Sequence, residues 1–156
     1  MDKNARILIV DDDESIRKTM KAILEDEGYQ VDLAASGKEA VQRTNDTAYN
    51  LALIDIRLPD MEGINLLTAM KETTPKMVKI IMTGYPSLQN AIEAVNRDAD
   101  AYVLKPFDVD KVLQTIREQL KKQDETKKYG EEKVAEFVET RAKIWEEQRT
   151  AFRKEG

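Results

Sequence analysis

The sequence predicts an α/β domain built as a doubly wound, five-stranded parallel sheet. Two observations carry that prediction. Five short apolar runs recur between Ile7 and Leu104, and each is followed by a segment with apolar residues at helical spacing. The connections are compact, so strand follows helix without room for hairpins, which implies parallel strands joined by right-handed crossovers.

Ile7-Leu8-Ile9-Val10 is solidly apolar, the pattern of a strand buried on both faces. Ser15 to Glu27 places Ile16, Met20, Ile23 and Leu24 on one helical face, and Gly28 offers the stop. Tyr29–Ala34 is the second strand. Ser36 with Glu39 three residues later forms a capping box that opens a helix through about Thr44. Leu51–Ile54 is the third strand, followed by a helix from Gly63 to about Glu72 with Ile64, Leu67 and Met70 inward. Val78–Met82 is the fourth strand, Ser87–Asn96 the fourth helix and Ala101–Leu104 the fifth strand. Asp108 then caps a helix carrying Val112, Ile116 and Leu120.

With 156 residues the chain holds one domain and an appendage, and a 41% hydrophobic fraction supplies a core. A net charge of −5 and a pI near 5.0 argue against partnership with nucleic acid or an anionic membrane. There is no cysteine and no histidine, which removes disulfides, thiolate chemistry, Ser-His triads and His- or Cys-ligated zinc. Carboxylates, lysine and hydroxyls remain. The polar N-terminus lacks a signal-peptide core, and no apolar run approaches the ~18 residues of a membrane span, so the expected location is cytoplasmic.

Ligands of such sheets bind beyond the carboxyl ends of the strands. Those ends carry Asp11-Asp12 after strand one, Asp55 after strand three, Thr83-Gly84 after strand four and Lys105-Pro106-Phe107 after strand five. Three carboxylates about 4 Å apart repel by roughly 4 kcal/mol per pair at an effective dielectric near 20, and one lysine offsets only part of that. A hard divalent cation offsets the rest. Oxygen-only ligation suits magnesium or calcium, and magnesium better where phosphate oxygens share the ion. Beside such an ion a carboxylate can act as a nucleophile toward phosphorus, with lysine and hydroxyl groups around the phosphoryl oxygens. In isolation Thr83 and Tyr102 are ordinary strand residues, and Asp13 and Glu14 read as first-turn carboxylates favouring a helix dipole.

The motifs Ile9-Val10-Asp11-Asp12, Leu53-Ile54-Asp55-Ile56-Arg57-Leu58-Pro59-Asp60-Met61-Glu62-Gly63, Ile81-Met82-Thr83-Gly84 and Tyr102-Val103-Leu104-Lys105-Pro106-Phe107 resemble the response-regulator receiver family. The likeness covers about residues 5–121, in order and at the family's spacing. It implies a flavodoxin-like sheet of order 2-1-3-4-5 and a two-component phosphoacceptor switch, not an enzyme, that assists its own phosphotransfer and autodephosphorylation. By resemblance Asp55 is the phosphoacceptor. Asp12 ligates Mg²⁺ directly, Asp11 does so through water, and Arg57 gives its backbone carbonyl. Thr83 hydrogen-bonds the phosphoryl group, Lys105 pairs with it, Pro106 follows a cis peptide and Tyr102 is the aromatic whose rotamer follows Thr83. Arg57 and Tyr85 are positions that tune hydrolysis of the phosphoryl group, and a bulky Tyr85 is expected to slow it.

The implied partners are a sensor histidine kinase or phosphotransfer protein, and then a downstream protein target or a second copy. The contact would use helix 4–strand 5–helix 5 or the C-terminal helix. A hydrolase of the haloacid-dehalogenase class would need a second carboxylate two residues after the nucleophile, where Arg57 stands. A phosphorylation-independent binding module would not need the complete acid, threonine and lysine set. The expected layout is a receiver domain over 1–121, a hinge or helix extension over 122–130 and a C-terminal amphipathic helix over 131–156. The 35 residues after Lys121 are too few for a DNA-binding or catalytic output domain. Val134, Phe137, Val138, Ile144, Trp145, Ala151 and Phe152 form an apolar stripe, too short and polar for a clear coiled coil. That helix packs on its own domain, binds a partner or second copy, or leads into a linker.

Overall fold

The computed structural model describes residues 4–73, 75–84, 87–96 and 99–155, with backbone alone for residues 88–90, 95 and 150–155. Strands and helices alternate: β1 (Arg6–Val10), α1 (Glu14–Asp26), β2 (Gln30–Ala34), α2 (Gly37–Asp46), β3 (Leu51–Asp55), α3 (Gly63–Ala69), β4 (Val78–Thr83), α4 (Leu88–Asn96), β5 (Ala101–Leu104) and α5 (Val109–Glu155). All strand pairs are parallel and the sheet order is β2-β1-β3-β4-β5, as expected. The order in which strands are added reverses between β1 and β3, which opens a crevice at their carboxyl ends.

The solid apolar runs are explained by two cores. Leu8, Val10, Ala52, Ile54 and Ile81 face one layer with Ala40, Ile64, Leu66, Leu67 and Ala94. Ile7, Ile9, Leu51, Leu53, Ile80 and Met82 face the other with Met20, Leu24, Val112, Leu113 and Ile116. Side chains alternate across a strand, so a sheet covered on both faces needs apolar residues at every position. Each fully buried Leu or Ile stabilises the fold by about 1.5–3 kcal/mol, which fixes the register on which the rim depends.

Local signals set the boundaries. α1 ends in a Schellman motif: Gly28, at φ 97°, donates to the Glu25 carbonyl at 2.9 Å, and Tyr29 donates to Leu24 at 3.1 Å. At the start of α2, Ser36 Oγ accepts from the Glu39 N–H at 3.1 Å, and Glu39 accepts from the Ala35 N–H at 3.1 Å. Asp108 Oδ1 accepts from the Asp110 and Lys111 N–H groups at 3.1 and 3.3 Å, starting α5.

α3 is shorter than the sequence suggests. It ends at Ala69 because Met70 is extended (φ −75°, ψ 150°), not helical. The buried Lys79 of β4 donates to the Leu67 carbonyl at 2.5 Å, capping that last turn from outside the helix.

The chain divides into two compact units, Met1–Gln123 and Asp124–Gly156. The first holds the sheet. Gln123 belongs to it through its side-chain amide, which donates to the Asn50 and Lys76 carbonyls at 2.9 and 2.8 Å. The second is the distal part of the 47-residue helix α5, and residues 122–130 are helical throughout. Within this unit Val134, Phe137, Val138 and Trp145 are each 58–63% exposed. Rings are partly covered by cations one turn on: Arg141 over Phe137 at 5.6 Å and Arg149 over Trp145 at 5.3 Å. The side chains of Ala151 and Phe152 lie outside the described residues. Among the described residues no helix is long and apolar enough to cross a membrane.

Candidate functional site

Sheet register assembles the rim. Val10 pairs with Ile54, so the next residues, Asp11 and Asp55, emerge side by side. On the other side of β3, Asp55 pairs with Met82 and Thr83 pairs with Leu104, placing Lys105 one step past the paired strands. Backbone bonds hold these ends together: Ile56 N–H to Met82 at 3.0 Å and Lys105 N–H to Thr83 at 2.7 Å. The Lys105–Pro106 peptide is cis.

Carboxylate oxygens of Asp11, Asp12 and Asp55 all lie within 4.8 Å of one another. Asp11 is completely buried. Its Oδ2 accepts from Lys105 Nζ at 2.7 Å and its Oδ1 from the Asp13 N–H at 2.9 Å. Asp55 is also buried; its Oδ2 stands 3.4 Å from the same Lys105 Nζ, and its Oδ1 accepts from the Arg57 N–H at 3.4 Å. Asp12 is exposed at the mouth. One lysine thus serves two buried acids, with a third acid alongside.

Protonation reflects that crowding. Burial, and then the charge of Asp11, push the Asp55 carboxyl above its ordinary value, against the pull of Lys105 and the Arg57 N–H. Lys105 is drawn down by burial. Its hydrogen bond and attraction to Asp11, with Asp55 adding to them, outweigh this and raise it. A site that holds two carboxylates against their preference is one where a hard cation gains free energy by binding.

The other anticipated residues fall into two groups. Thr83 is fully buried at the last paired position of β4, next to Lys105. Tyr102 is not in the carboxylate–lysine cluster. It packs against the core containing Ile81 and Ala94, and its hydroxyl is buried without a hydrogen-bond partner among the described residues. Tyr85 lies outside the described residues. Asp13 is the N-cap of α1, accepting from the Ser15 and Ile16 N–H groups at 2.8 and 3.2 Å. Glu14, in the first turn, pairs with Lys18 at 2.9 Å.

Three contributors escaped the sequence reading. Arg17 reaches back one turn from α1 and donates to the Asp11 carbonyl at 2.7 Å, steadying the acidic pair. Gly63 is required by close approach: a Cβ there would fall on the Asp55 carbonyl oxygen. Asp60 accepts from two N–H groups of α2. Arg17 bonds a carbonyl that lies before its helix, which no periodicity signals, and the other two depend on how the β3–α3 loop folds back.

A response regulator receiver domain model matches residues 7–117. The chain is 38% identical over 117 residues to the transcriptional regulatory protein ZraR of Escherichia coli (strain K12), covering 75% of this chain and 26% of that protein. A CheY-like receiver domain protein from Methanospirillum hungatei JF-1 is 47% identical, covering 79% of this chain and 98% of that one, with a TM-score of 0.74. The beryllofluoride-activated NtrC4 receiver domain dimer is 36% identical, with a TM-score of 0.71, covering 76% of this chain and 98% of that one. The chain spans about a quarter of the length of the curated relatives such as ZraR. These relatives are named as transcriptional regulatory proteins, which conflicts with the expectation, drawn from net charge, that nucleic acid is not a partner.

Proposed function

The chain belongs to the response regulator receiver family of two-component signalling, and from that premise we propose that Asp55 accepts a phosphoryl group from a sensor histidine kinase or a phosphotransfer protein. The observation that carries the reading is the meeting of Asp11, Asp12, Asp55 and Lys105 at one rim. The domain is a switch and not a classical enzyme. Its finer activity, on this proposal, is to assist its own phosphotransfer and autodephosphorylation.

The donor set fits a hard cation: three carboxylates with oxygens within 4.8 Å, no softer ligand, and a lysine too few to balance them. Asp11, Asp12, Asp55 and the Arg57 backbone carbonyl would hold Mg²⁺, which when bound offsets charge on the phosphoryl oxygens. An Asp55 carboxylate oxygen bonds to phosphorus while the partner's P–N bond breaks, and the departing imidazole keeps that electron pair. Lys105, at 3.4 Å from Asp55, pairs with the oxygens so delivered. The Thr83 hydroxyl donates to them, and Tyr102 follows Thr83; its hydroxyl, having no partner in the core, leaves without losing a hydrogen bond.

Phosphorylation adds roughly 1.5–2 negative charges, a large bias on any two-state surface nearby. The output surface is α4–β5–α5, where Ile92, Leu104 and Val109 are exposed, or the apolar face of the C-terminal helix. Either contact takes a downstream protein or a second copy. The working layout is a receiver over 1–121, a helical extension over 122–130 and the helix 131–156, in the cytoplasm, with any role in transcription exerted through a larger assembly.

The test is labelling with acetyl phosphate and Mg²⁺, read by intact mass, followed by size-exclusion chromatography. The parent gains one phosphoryl group; Asp55→Asn and the parent in EDTA do not. A label retained by Asp55→Asn defeats the assignment.

A further inference from the structure

Residues 57–62 leave the acidic rim at Asp55 and return to α3 as a small loop. Its own backbone closes it: Leu58 N–H donates to Met61 at 3.1 Å, Gly63 N–H donates to Ile56 at 2.8 Å, and Arg57 bridges Glu62. These bonds shape the loop, and Leu58 and Met61 rest against the core, but none of them hydrogen-bonds its tip to α2. Asp60 does. Its Oδ1 accepts from the Gly37 N–H and its Oδ2 from the Lys38 N–H, each at 2.8 Å, across 23 and 22 residues of sequence. Met61 presses on the same place, close enough that a Cβ on Gly37 would overlap its side chain.

These bonds complete the start of α2. Ser36 caps the Glu39 N–H from within the helix's own strand connection, and Asp60 takes the two N–H groups that Ser36 leaves. Carboxylate charge is favoured at a helix N-terminus. The Lys38 and Gly37 N–H bonds hold the Asp60 carboxyl below its ordinary range.

We propose that Asp60 is a positioning residue for the acidic site: by fastening loop 57–62 to α2 it holds the Arg57 backbone against Asp55 and thereby sets the affinity for a divalent cation. The proposal rests on the cation-binding reading above. Arg57 is the first residue of the loop, and its N–H meets Asp55 Oδ1 at 3.4 Å, a long bond that a small loop shift removes. A loop held at both its base and its tip keeps that backbone in one place; held only at its base, it samples several.

Magnesium titration of the full chain, followed by backbone-amide NMR and by calorimetry, tests this in the parent, Asp60→Ala, Asp60→Asn and Ser36→Ala. Asp60→Ala should weaken Mg²⁺ binding by about three- to tenfold, less than the 10–100-fold typical when a ligand loses its direct hydrogen-bond partner. Asp60→Asn, which keeps one acceptor, should fall between Asp60→Ala and the parent. Ser36→Ala removes a cap of the same helix without touching the loop. It should lower the melting temperature as Asp60→Ala does while leaving the Mg²⁺ dissociation constant at the parent value. Equal Mg²⁺ affinity in Asp60→Ala and the parent overturns the proposal, as does an equal loss in Ser36→Ala. A parent that binds no Mg²⁺ defeats the underlying cation-site reading instead, and this inference with it.

Discussion

Replacing Asp55 by asparagine should make the metal-free protein more stable, because the fold holds this carboxylate buried beside a second one, against its preference. The balance can be worked from distances. Asp11 and Asp55 oxygens lie within 4.8 Å, which at an effective dielectric near 20 is a repulsion of at least about 3.5 kcal/mol. Lys105 at 3.4 Å returns about 5 kcal/mol. Asp12 adds a smaller, water-screened repulsion of about 1–2 kcal/mol. Pairwise terms therefore nearly cancel, and the desolvation of a buried carboxylate decides the sign. The Asn amide keeps the shape, removes the buried charge and leaves Lys105 to Asp11 alone. We expect a gain of about 1–2 kcal/mol, or about 3–8 °C in melting temperature. The pH dependence is specific. Asp55 has a folded-state value above its unfolded one, so the folded chain binds more protons in that window and its stability falls as pH rises through it. The advantage of Asp55→Asn should be absent well below pH about 3.9, grow through the raised value and be complete above it. Thermal unfolding of both proteins in EDTA, near pH 4 and pH 7.5 (about), reads this directly. An Asp55→Asn protein that melts below the parent at the higher pH, or a gap that is the same at both, refutes the reasoning.

Gly63→Ala should lower stability by about 2–4 kcal/mol in urea unfolding, since its Cβ meets the Asp55 backbone, and labelling of Asp55 should slow with it. Lys79→Met should cost about 1–2 kcal/mol, because the Leu67 carbonyl at the end of α3 loses a charged donor at 2.5 Å; an unchanged denaturation midpoint would show that the cap is idle. A chain ending at Gln123 should unfold within about 0.5 kcal/mol of the full chain, because the sheet unit closes there and Gln123 keeps its bonds to Asn50 and Lys76. Light scattering on the two chains separates the proposed contacts: association lost on the cut assigns it to the C-terminal helix, and association that survives assigns it to the receiver surface.

What was legible in the sequence follows from which signals are local. Apolar runs at Ile7–Val10, Leu51–Ile54 and Val78–Met82 mark strands covered on both faces, and because parallel strands share a carboxyl rim the sequence alone brings Asp11, Asp55, Thr83 and Lys105 to one edge. Ser36, Gly28 and Asp108 announced their caps because capping is a property of a few neighbouring residues. The end of α3 was misplaced because nothing near Ala69 signals it; the residue that caps the helix, Lys79, lies on another strand. Asp60 escaped for the same reason, since its partners are Gly37 and Lys38. Residues 122–130 read from their polarity as a hinge or a helix extension; they are helical, since polarity alone does not break a helix whose residues favour it, and Gly130 has open space around it.

Lys105 joins the two buried acids. It is closer to Asp11, at 2.7 Å, than to Asp55, at 3.4 Å, so the resting lysine is shared unequally. A phosphoryl group on Asp55 would replace one carboxylate charge by nearly two and add acceptors on the side where the lysine is least engaged. Charge alone would then draw Nζ from Asp11 toward the new oxygens, and Asp11, buried and stripped of its strongest partner, would lean on Asp13's N–H and on the cation. On that proposal the position of the lysine would report the state of Asp55, and its β5–α5 connection, directly after the exposed Leu104 and shortly before the exposed Val109, is where a change at the acids would first reach the outer surface.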